Sequence, residues 1–305
     1  MSYQIKAPVL LITFNRPENT KKVLDKIKIE KPPKLYIFND GPREHNENDE
    51  IARQEIKEMI RSIDWQCEIK TNYQDSNLGC GQGVSTAITW AFTNEEYLII
   101  LEDDCVPSGS FFRFCDELLE KYKNDTRIWV ISGSNFNDEY EFNNSYTFSK
   151  YVHIWGWATW KRCWMNFVPT LTDWPEFKKI GGFNNVFRSD KICKYFNNLY
   201  ERLYRKNNLN YITWDYQFCL KVYSNNGLCI FPQKNLISNI GHKGVHSKSV
   251  MKAHDMTMDN LFRITNHPKF IINNTGYELY HFDNHILKLK STFYKKIIKH
   301  LKKDL

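Results

Sequence analysis

Residues 97–107 read YLIILEDDCVP, an apolar run followed at once by three carboxylates. The run at 97–101 is too short for a helix and predicts a buried strand. The acids at 102–104 stand where that strand leaves its sheet, and adjacent carboxylates repel one another when they are taken out of water. A hard divalent cation would relieve this repulsion, and such ions usually share oxygen ligands with substrate phosphates. The alternative is an acidic turn before a helix with Ser108 as its N-cap.

Strands and helices alternate before this stretch. Apolar runs near residues 8–13, 34–39 and 67–71 predict three earlier strands, with helices between them. This alternation indicates a parallel sheet with helices on its faces, and the ligands of such sheets bind at the carboxyl ends of the strands. We therefore predict that one edge of the sheet carries the polar residues that follow the strands: Asn15, Arg16, Asp40, the loop at 77–83, Glu102, Asp103 and Asp104.

The loop at 77–83 reads NLGCGQG and is rich in glycine. It is neither a GxGxxG dinucleotide fingerprint nor a P-loop, because it lacks that glycine spacing and the Gly-Lys-Ser/Thr ending. Two interpretations stay open. The loop is either a tight turn that lets the backbone approach a ligand or a plain turn into the next helix.

Composition and charge narrow the possible classes of protein. The 305 residues suffice for one large or two small domains. The formal net charge is +7, but residues 284–305 hold seven Lys and one Asp, a net charge of +6, which leaves +1 for the rest. Nucleic acid is therefore not a predicted partner of the fold. Eight cysteines without a CxxC pair, and no recognisable signal peptide or membrane span, lead us to expect a cytoplasmic protein.

The basic C-terminal segment has its own pattern. From Ile286 to Leu301, apolar residues fall on one helical stripe with lysines around it. A basic amphipathic helix of this kind can lie on an anionic membrane surface, which would place the protein peripherally on the inner face of the membrane. A helix packed on the body, or a contact in a dimer, is the alternative.

A tryptophan-rich segment begins the second half of the chain. Residues 151–164 read YVHIWGWATWKRCW, with four Trp in ten residues. Trp157, Trp160 and Trp164 follow helical spacing and predict one packed helical face.

Further candidates lie in loops and at the start of a helix. Trp155 and Gly156, just before the predicted tryptophan helix, are candidates for ligand contact. A long helix is predicted over residues 186–203. Asp215 heads a later helix, where an acid usually caps the helix or interacts with its dipole. The loop at 240–247, IGHKGVHS, suits a lid that orders on a phosphate, or an exposed basic loop.

Taken together, these motifs give the chain a resemblance to nucleotide-sugar glycosyltransferases of the GT-A fold. The segments LLITFNRPENTKKVLDKI, FNDGP and NLGCGQGV are similar to glycosyltransferase family 2. The succession of LEDD, ISGSN, HIWGW, TWDYQF and GHKGVHS is similar to the N-acetylglucosaminyltransferase I (family 13) type.

The resemblance covers about residues 7–250 and implies an architecture. It is an α/β fold of the GT-A (Rossmann-like) class, with a mostly parallel central sheet flanked by helices. Residues 1–130 would form the nucleotide-sugar-binding half and residues 131–262 an acceptor-side α/β half. Beyond the resemblance, the charge and apolar pattern of residues 263–305 predict a C-terminal tail with the basic amphipathic helix.

The resemblance also implies roles for individual residues. Asp104, the last acid of the triplet, would hold Mn²⁺ or Mg²⁺, while Glu102 and Asp103 would contact the nucleotide and the sugar. Asp40 would read the uracil, and Asp215 would be the catalytic base. Further residues assigned to the donor are Thr13, Asn15, Arg16, Asn77, Gly79, His242, Lys243 and His246, and those assigned to the acceptor are Trp155, Gly156 and Trp214.

The implied activity is sugar transfer from a nucleotide sugar, such as a UDP-sugar, to a hydroxyl of a glycan or lipid-linked acceptor in surface polysaccharide or lipopolysaccharide synthesis. One acid separated from the triplet favours a single displacement with inversion. A sugar nucleotidyltransferase is disfavoured, because residues 15–18 read NRPE and lack a glycine-rich triphosphate loop. The alternative is a catalytically silent sugar-binding or scaffold protein of the same fold.

Overall fold

The computed structural model describes residues 3–137, 139–206, 213–241 and 256–287. The strands in these ranges are β1 (Val9–Thr13), β2 (Lys34–Asn39), β3 (Glu68–Tyr73), β4 (Tyr97–Glu102), β5 (Cys105–Pro107), β6 (Ile128–Ser132), β7 (Tyr146–Ser149), β8 (Trp157–Trp160), β9 (Leu228–Pro232) and β10 (Ile237–Asn239). The helices are α1 (Pro17–Glu30), α2 (Glu47–Arg61), α3 (Gly79–Ala91), α4 (Gly109–Lys121), α5 (Lys161–Trp164), α6 (Trp174–Lys179), α7 (Gly182–Val186), α8 (Asp190–Arg205), α9 (Asp215–Ser224) and α10 (Thr275–His281), which continues into a π-helical turn (Phe282–Ile286).

In the described part of the chain, eight strands form one sheet in the order β3-β2-β1-β4-β8-β6-β9-β7. The strands β1 to β4 pair in parallel, β8 is antiparallel to both of its neighbours, and β6 and β9 run parallel to each other. Only β7 and β8 therefore oppose the direction of the other strands in this sheet. The predicted α/β class, with a mostly parallel sheet flanked by helices, is confirmed.

Local sequence explains the central strands and the helix that follows the first of them. All five residues of β1 are buried, as expected for a strand covered on both faces. Pro17 stands at the first position of α1, where its missing N–H costs nothing. The apolar residues Val23, Leu24 and Ile27 of α1 face the core.

The carboxyl ends of β1, β2 and β4 meet at one edge of the sheet. Thr13 pairs with Asn39 across β1 and β2, and Ile12 pairs with Glu102 across β1 and β4. The polar residues after these strands therefore lie on a common edge, as predicted. A separate two-stranded sheet, β10 with β5, lies directly after the acids of β4.

The predicted tryptophan helix is wrong. Residues Trp157–Trp160 form the strand β8 between β4 and β6, and only the short α5 follows it. Both faces of β8 are covered, so no polar alternation marked it as a strand. The predicted core packing is confirmed, because Trp157, Trp160 and Trp164 are each at most 3% exposed.

The long helix predicted over residues 186–203 is also two elements. α7 ends at Val186 and α8 begins at Asp190, with the extended residues Phe187 and Ser189 in the break. Ser189 is the N-cap residue of α8, a position that favours serine.

The first part of the predicted C-terminal tail packs on the second half of the fold. The backbone N–H of Asn274 donates to the carbonyl of Phe148 in β7 at 2.8 Å. The carboxylate of Glu278 accepts the backbone N–H of Lys150 at 2.7 Å. The basic amphipathic segment from residue 288 onward lies outside the described residues, so its contact with a membrane stays a prediction. None of the helices that the structure describes is long and apolar enough to cross a membrane.

Candidate active site

The acid triplet stands at the carboxyl end of β4. Glu102 and Asp104 are partly exposed, whereas Asp103 is 6% exposed. Burial raises the pKa of Glu102, and the charges of Asp104 and Asp103 raise it further. Burial also raises the pKa of Asp103, although the charge of Arg16 opposes this shift. The ionised forms of these neighbouring carboxyl groups are therefore unfavourable here unless a positive charge compensates them.

Arg16, in the turn after β1, supplies the compensating charge. Its Nη1 lies 2.8 Å from Oδ2 of Asp104 and 3.3 Å from Oδ1 of Asp103. The side chain of Arg16 is 33% exposed, so part of it faces solvent. The sequence predicted a donor contact for Arg16, and the structure uses this side chain as the counterion of the acids.

Asp215 reaches the same place from the second half of the chain. It is the first residue of α9 and is partly exposed. Its charge contributes to the raised pKa of Glu102, so the two carboxyl groups lie near each other. Burial raises the pKa of Asp215 itself, opposed by hydrogen bonds from backbone N–H groups and from Thr213. The structure thus brings together the two acidic features that the sequence singled out separately.

Cys80, which the sequence analysis did not single out, lies among these acids. It is the second residue of α3, and its thiol is accessible to solvent. Reduced hydration in the cleft, followed by the charges of Glu102, Asp215 and Asp104, raises the pKa of this thiol to about 12. The sequence feature that could have indicated Cys80 is its place within the glycine-rich loop at 77–83.

Cys80 offers a test of this arrangement. The Asp215→Asn variant should lower the pKa of Cys80, because it removes a nearby negative charge. Alkylation of Cys80 by iodoacetamide at pH 8 should then be about two- to tenfold faster, since a thiol reacts as its thiolate. Peptide mapping by mass spectrometry separates Cys80 from the other cysteines, and Asp173→Asn serves as the control. An unchanged rate for Asp215→Asn would show that Asp215 does not face Cys80.

Two side-chain oxygen atoms, Oδ2 of Asp104 and Oδ1 of Asn239, lie against Gly241, and Oδ1 of Asn239 accepts the backbone N–H of Gly241 at 2.9 Å. A Cβ on Gly241 would overlap Oδ2 of Asp104 and stand 3.0 Å from Oδ1 of Asn239. The backbone reinforces this approach, because the N–H of Ile240 donates to the carbonyl of Asp104 at 2.9 Å. Asn239 ends β10, which pairs with β5 directly after the acids. Sequence reasoning missed Asn239, and its place two residues before Gly241 was the only hint.

The Mn²⁺ or Mg²⁺ that the sequence assigns to Asp104 stays a prediction, and the oxygens present here fit only an ion that completes its shell with phosphates and water. Within residues 3–137, 139–206, 213–241 and 256–287, no group of three or more His, Cys, Asp or Glu side chains is arranged to hold a metal ion. Mg²⁺ commonly takes one or two protein oxygens and completes its shell with phosphates and water. Asp104 and Asn239 match that pattern.

Asp40 is fully engaged by the turn into α3. Its two oxygens accept the backbone N–H groups of Gly41, Leu78 and Gly79 at 2.8–3.1 Å and the side-chain amide of Asn77 at 3.0 Å. Burial nevertheless raises the pKa of Asp40. The glycine-rich loop is therefore a helix entry organised by Asp40, and its contact with a base stays a prediction.

Thr13 and Asn15 are also bonded within the fold. Oγ1 of Thr13 donates to the carbonyl of Phe38 at 2.9 Å. The amide of Asn15 donates to Asp49 at 2.7 Å, and the same carboxylate accepts Arg43. Both side chains order the edge of the sheet, and their contacts with a donor stay predictions.

Of the predicted acceptor residues, Trp214 has a buried ring, and its contact with an acceptor stays a prediction. It is 3% exposed and stacks on Trp157 with ring centroids 5.7 Å apart, so its ring is covered by the core. Gly156 is buried, with φ of +57°, and a Cβ there would overlap Ile237, so packing accounts for this glycine. Trp155 is partly exposed against Phe136, and acceptor contact through its ring stays a prediction.

Part of the predicted site lies outside the described residues. His242, Lys243 and His246 are in this group, so the expected lid over the diphosphate is not tested. Gly241, the last described residue before them, lies against Asp104. The chain therefore enters this segment at the acid triplet.

A scan against protein-family models and a search of curated proteins each find no match for the sequence. Among solved structures, the chain is similar to the inositol-1-phosphate CTP transferase from T. maritima, with 7% identity and a TM-score of 0.30 over 53% of this chain and 74% of that one. It is also similar to UDP-glucose pyrophosphorylase complexed with UDP-glucose, with 10% identity and a TM-score of 0.30 over 54% of this chain and 82% of that one. The chain is also similar to mouse xyloside xylosyltransferase 1 in its apo form, with 14% identity and a TM-score of 0.27 over 44% of this chain and 55% of that one. Likeness at this level does not distinguish among their activities.

Proposed function

We propose that this protein is a glycosyltransferase that moves a sugar from a nucleotide-sugar donor to a hydroxyl group. The observation that carries the proposal is the meeting of the acid triplet of β4 with Asp215 of α9. The triplet lies at the carboxyl ends of parallel strands, where α/β sheets bind their ligands. Asp215 comes from the other half of the chain and lies near enough for its charge to raise the pKa of Glu102.

The donor end of this site would use Asp104. Together with Asn239 it would hold Mn²⁺ or Mg²⁺, with the remaining ligands from the diphosphate and water. When bound, the ion supplies Lewis-acid stabilisation of the leaving nucleoside diphosphate. In the free protein the carboxylate of Asp104 is paired with Arg16 at 2.8 Å.

The acceptor end would use Asp215. The acceptor hydroxyl attacks the anomeric carbon, the bond from that carbon to the phosphate oxygen breaks, and the hydroxyl proton passes to the carboxylate of Asp215. Burial raises the pKa of Asp215, which moves it closer to the neutral range that suits a general base. One displacement of this kind inverts the anomeric centre.

The acceptor class rests on fewer observations. Trp155, which is partly exposed just before β8, has an aromatic ring of the kind that packs on sugars. We propose a glycan or lipid-linked acceptor, with residues 288–305 as a peripheral membrane contact through their lysines.

Release of nucleoside diphosphate tests the function. The full chain should release it from at least one of a panel of UDP-, GDP-, ADP- and TDP-sugars with Mn²⁺, and Asp104→Asn should release it about two to four orders of magnitude more slowly. A thermal-shift screen with the same panel identifies the nucleotide, because a ligand at 100 times its Kd adds about 2.7 kcal/mol to the unfolding free energy. Binding without release would favour a silent sugar-binding protein. Release of pyrophosphate from a nucleoside triphosphate and a sugar phosphate would favour a nucleotidyltransferase.

A further inference from the structure

We infer that Arg16 is an exchangeable counterion, which occupies the cation side of Asp104 in the free protein and turns to the phosphates when a divalent ion takes its place. This inference deepens the proposed function and rests on its assignment of Asp104 to the metal. Arg16 would then have a positioning role, because binding of the ion would free its guanidinium to contact the phosphates of the donor.

The contacts of Arg16 and the expected ion site share one atom. Nη1 of Arg16 lies 2.8 Å from Oδ2 of Asp104. The same oxygen is the one that faces the Gly241 and Asn239 side of the cleft. A guanidinium and a divalent ion on one carboxylate oxygen would repel each other strongly at this separation. Full occupancy by the ion therefore requires Arg16 to withdraw from Oδ2.

Arg16 is placed so that its side chain can move while its backbone stays fixed. Its carbonyl accepts the N–H of Thr20 at 2.9 Å, which ties it to the first turn of α1. Its second acidic contact, to Oδ1 of buried Asp103, is longer at 3.3 Å. With 33% of the side chain exposed, the guanidinium reaches the solvent of the cleft without a backbone rearrangement. A planar guanidinium binds phosphate oxygens in pairs, so the diphosphate offers it a matching partner.

Exchange of this kind predicts opposite effects on the two ligands. The ion alone competes with Arg16 for Asp104, so Arg16 weakens its binding. The diphosphate gains a cation from Arg16, so Arg16 strengthens its binding. A residue needed only for folding would weaken both.

The experiment measures Mn²⁺ binding and UDP binding separately with Arg16→Met. Mn²⁺ alone, followed through the electron paramagnetic resonance signal of the free ion, should bind about tenfold or more tightly than to the wild type. UDP in the presence of saturating Mn²⁺, followed by calorimetry, should bind to Arg16→Met about tenfold or more weakly than to the wild type, because the variant has no guanidinium to turn to the phosphates. Arg16→Lys, which keeps the charge, should lie between the wild type and Arg16→Met in both measurements.

Arg43→Met is the matched control. Arg43 pairs with Asp49 at 2.7 Å on the same edge of the sheet, away from the triplet. Its loss should leave Mn²⁺ affinity unchanged. Melting temperatures of all variants establish that they are folded.

The outcomes separate this inference from the proposed function. Unchanged, weaker or absent Mn²⁺ binding by folded Arg16→Met would overturn the exchange. If Arg16→Met binds Mn²⁺ more tightly while the wild type releases no nucleoside diphosphate from any sugar nucleotide, the exchange stands and the proposed transfer does not. If the wild type transfers sugar but Mn²⁺ binds equally well with and without Arg16, the proposed function stands and the exchange does not.

Discussion

Asp104→Asn should lower turnover by about two to four orders of magnitude and remove the Mn²⁺-dependent part of the thermal shift with nucleoside diphosphate. The ion is expected to contribute several kcal/mol of charge stabilisation in the transition state, and each 1.36 kcal/mol corresponds to a factor of ten in rate. An amide oxygen keeps the shape of the side chain and can still accept the N–H of Arg16 at this position. The fold should therefore survive, while the negative charge that attracts the ion is gone.

Asp103→Asn provides the comparison for this result. Asp103 is adjacent, more buried and also bonded to Arg16, but it is not the acid that faces Asn239. Its loss should reduce turnover less and should preserve the Mn²⁺-dependent shift. Full activity of Asp104→Asn would contradict the metal assignment. Wild-type activity that is unchanged by a chelator would contradict it too.

The first half of the fold followed from local patterns. Each of β1, β2 and β4 is an apolar run bounded by charge or by a turn, and each helix between them carries one apolar face. Because successive parallel strands point the same way, the order of motifs along the chain was enough to place Asp40 and the acid triplet at one edge. This part of the site required no knowledge of side-chain contacts.

The second half of the fold was harder to predict, because the sequence of β8 lacks the polar–apolar alternation that usually marks a strand. Its sequence, Trp157 to Trp160, is buried on both faces and runs antiparallel between β4 and β6. A strand inserted in this way shows no alternation of polar and apolar residues, and three Trp at helical spacing match a helix equally well. Long-range pairing therefore decided the structure where local periodicity was ambiguous.

The contacts that define the chemistry of the site join distant parts of the chain. Arg16 and Asp104 are 88 residues apart, and Asn239 meets Cys105 at a separation of 134 residues. The sequence identified Arg16 as polar and near the edge, but which anion it meets depends on the register of β1 against β4. Asn239 carries no motif, and Cys80 lies in a loop that stood out only for its glycines, so both are recognised only when their neighbours are known.

Asp215→Asn is the variant that tests the mechanism itself. A general base acts on the acceptor hydroxyl in the transition state, so its loss should leave donor binding nearly intact and lower kcat by about 10²- to 10⁴-fold. Activity of the wild type should rise with pH as Asp215 loses its proton, and burial places this rise above the ordinary pKa of an aspartate. The residual activity of the variant should lack this acidic limb. Its pH–rate profile, measured with saturating donor, is the decisive readout.

Stability distinguishes a base from a helix cap at the same position. Because the pKa of Asp215 is raised in the folded state, its ionised form destabilises the fold at neutral pH, and the amide removes this penalty. Asp215 is the first residue of α9, one position after the N-cap residue Trp214, and Asn keeps the shape of its side chain, so the melting temperature of the variant should equal or exceed that of the wild type. Asp173→Asn is the matched control, since Asp173 pairs with Lys221 of the same helix and stands half-exposed; its turnover should be unchanged. If Asp215→Asn keeps the turnover and pH profile of the wild type, Asp215 only begins its helix, and the base must be sought among the other acids of the second half.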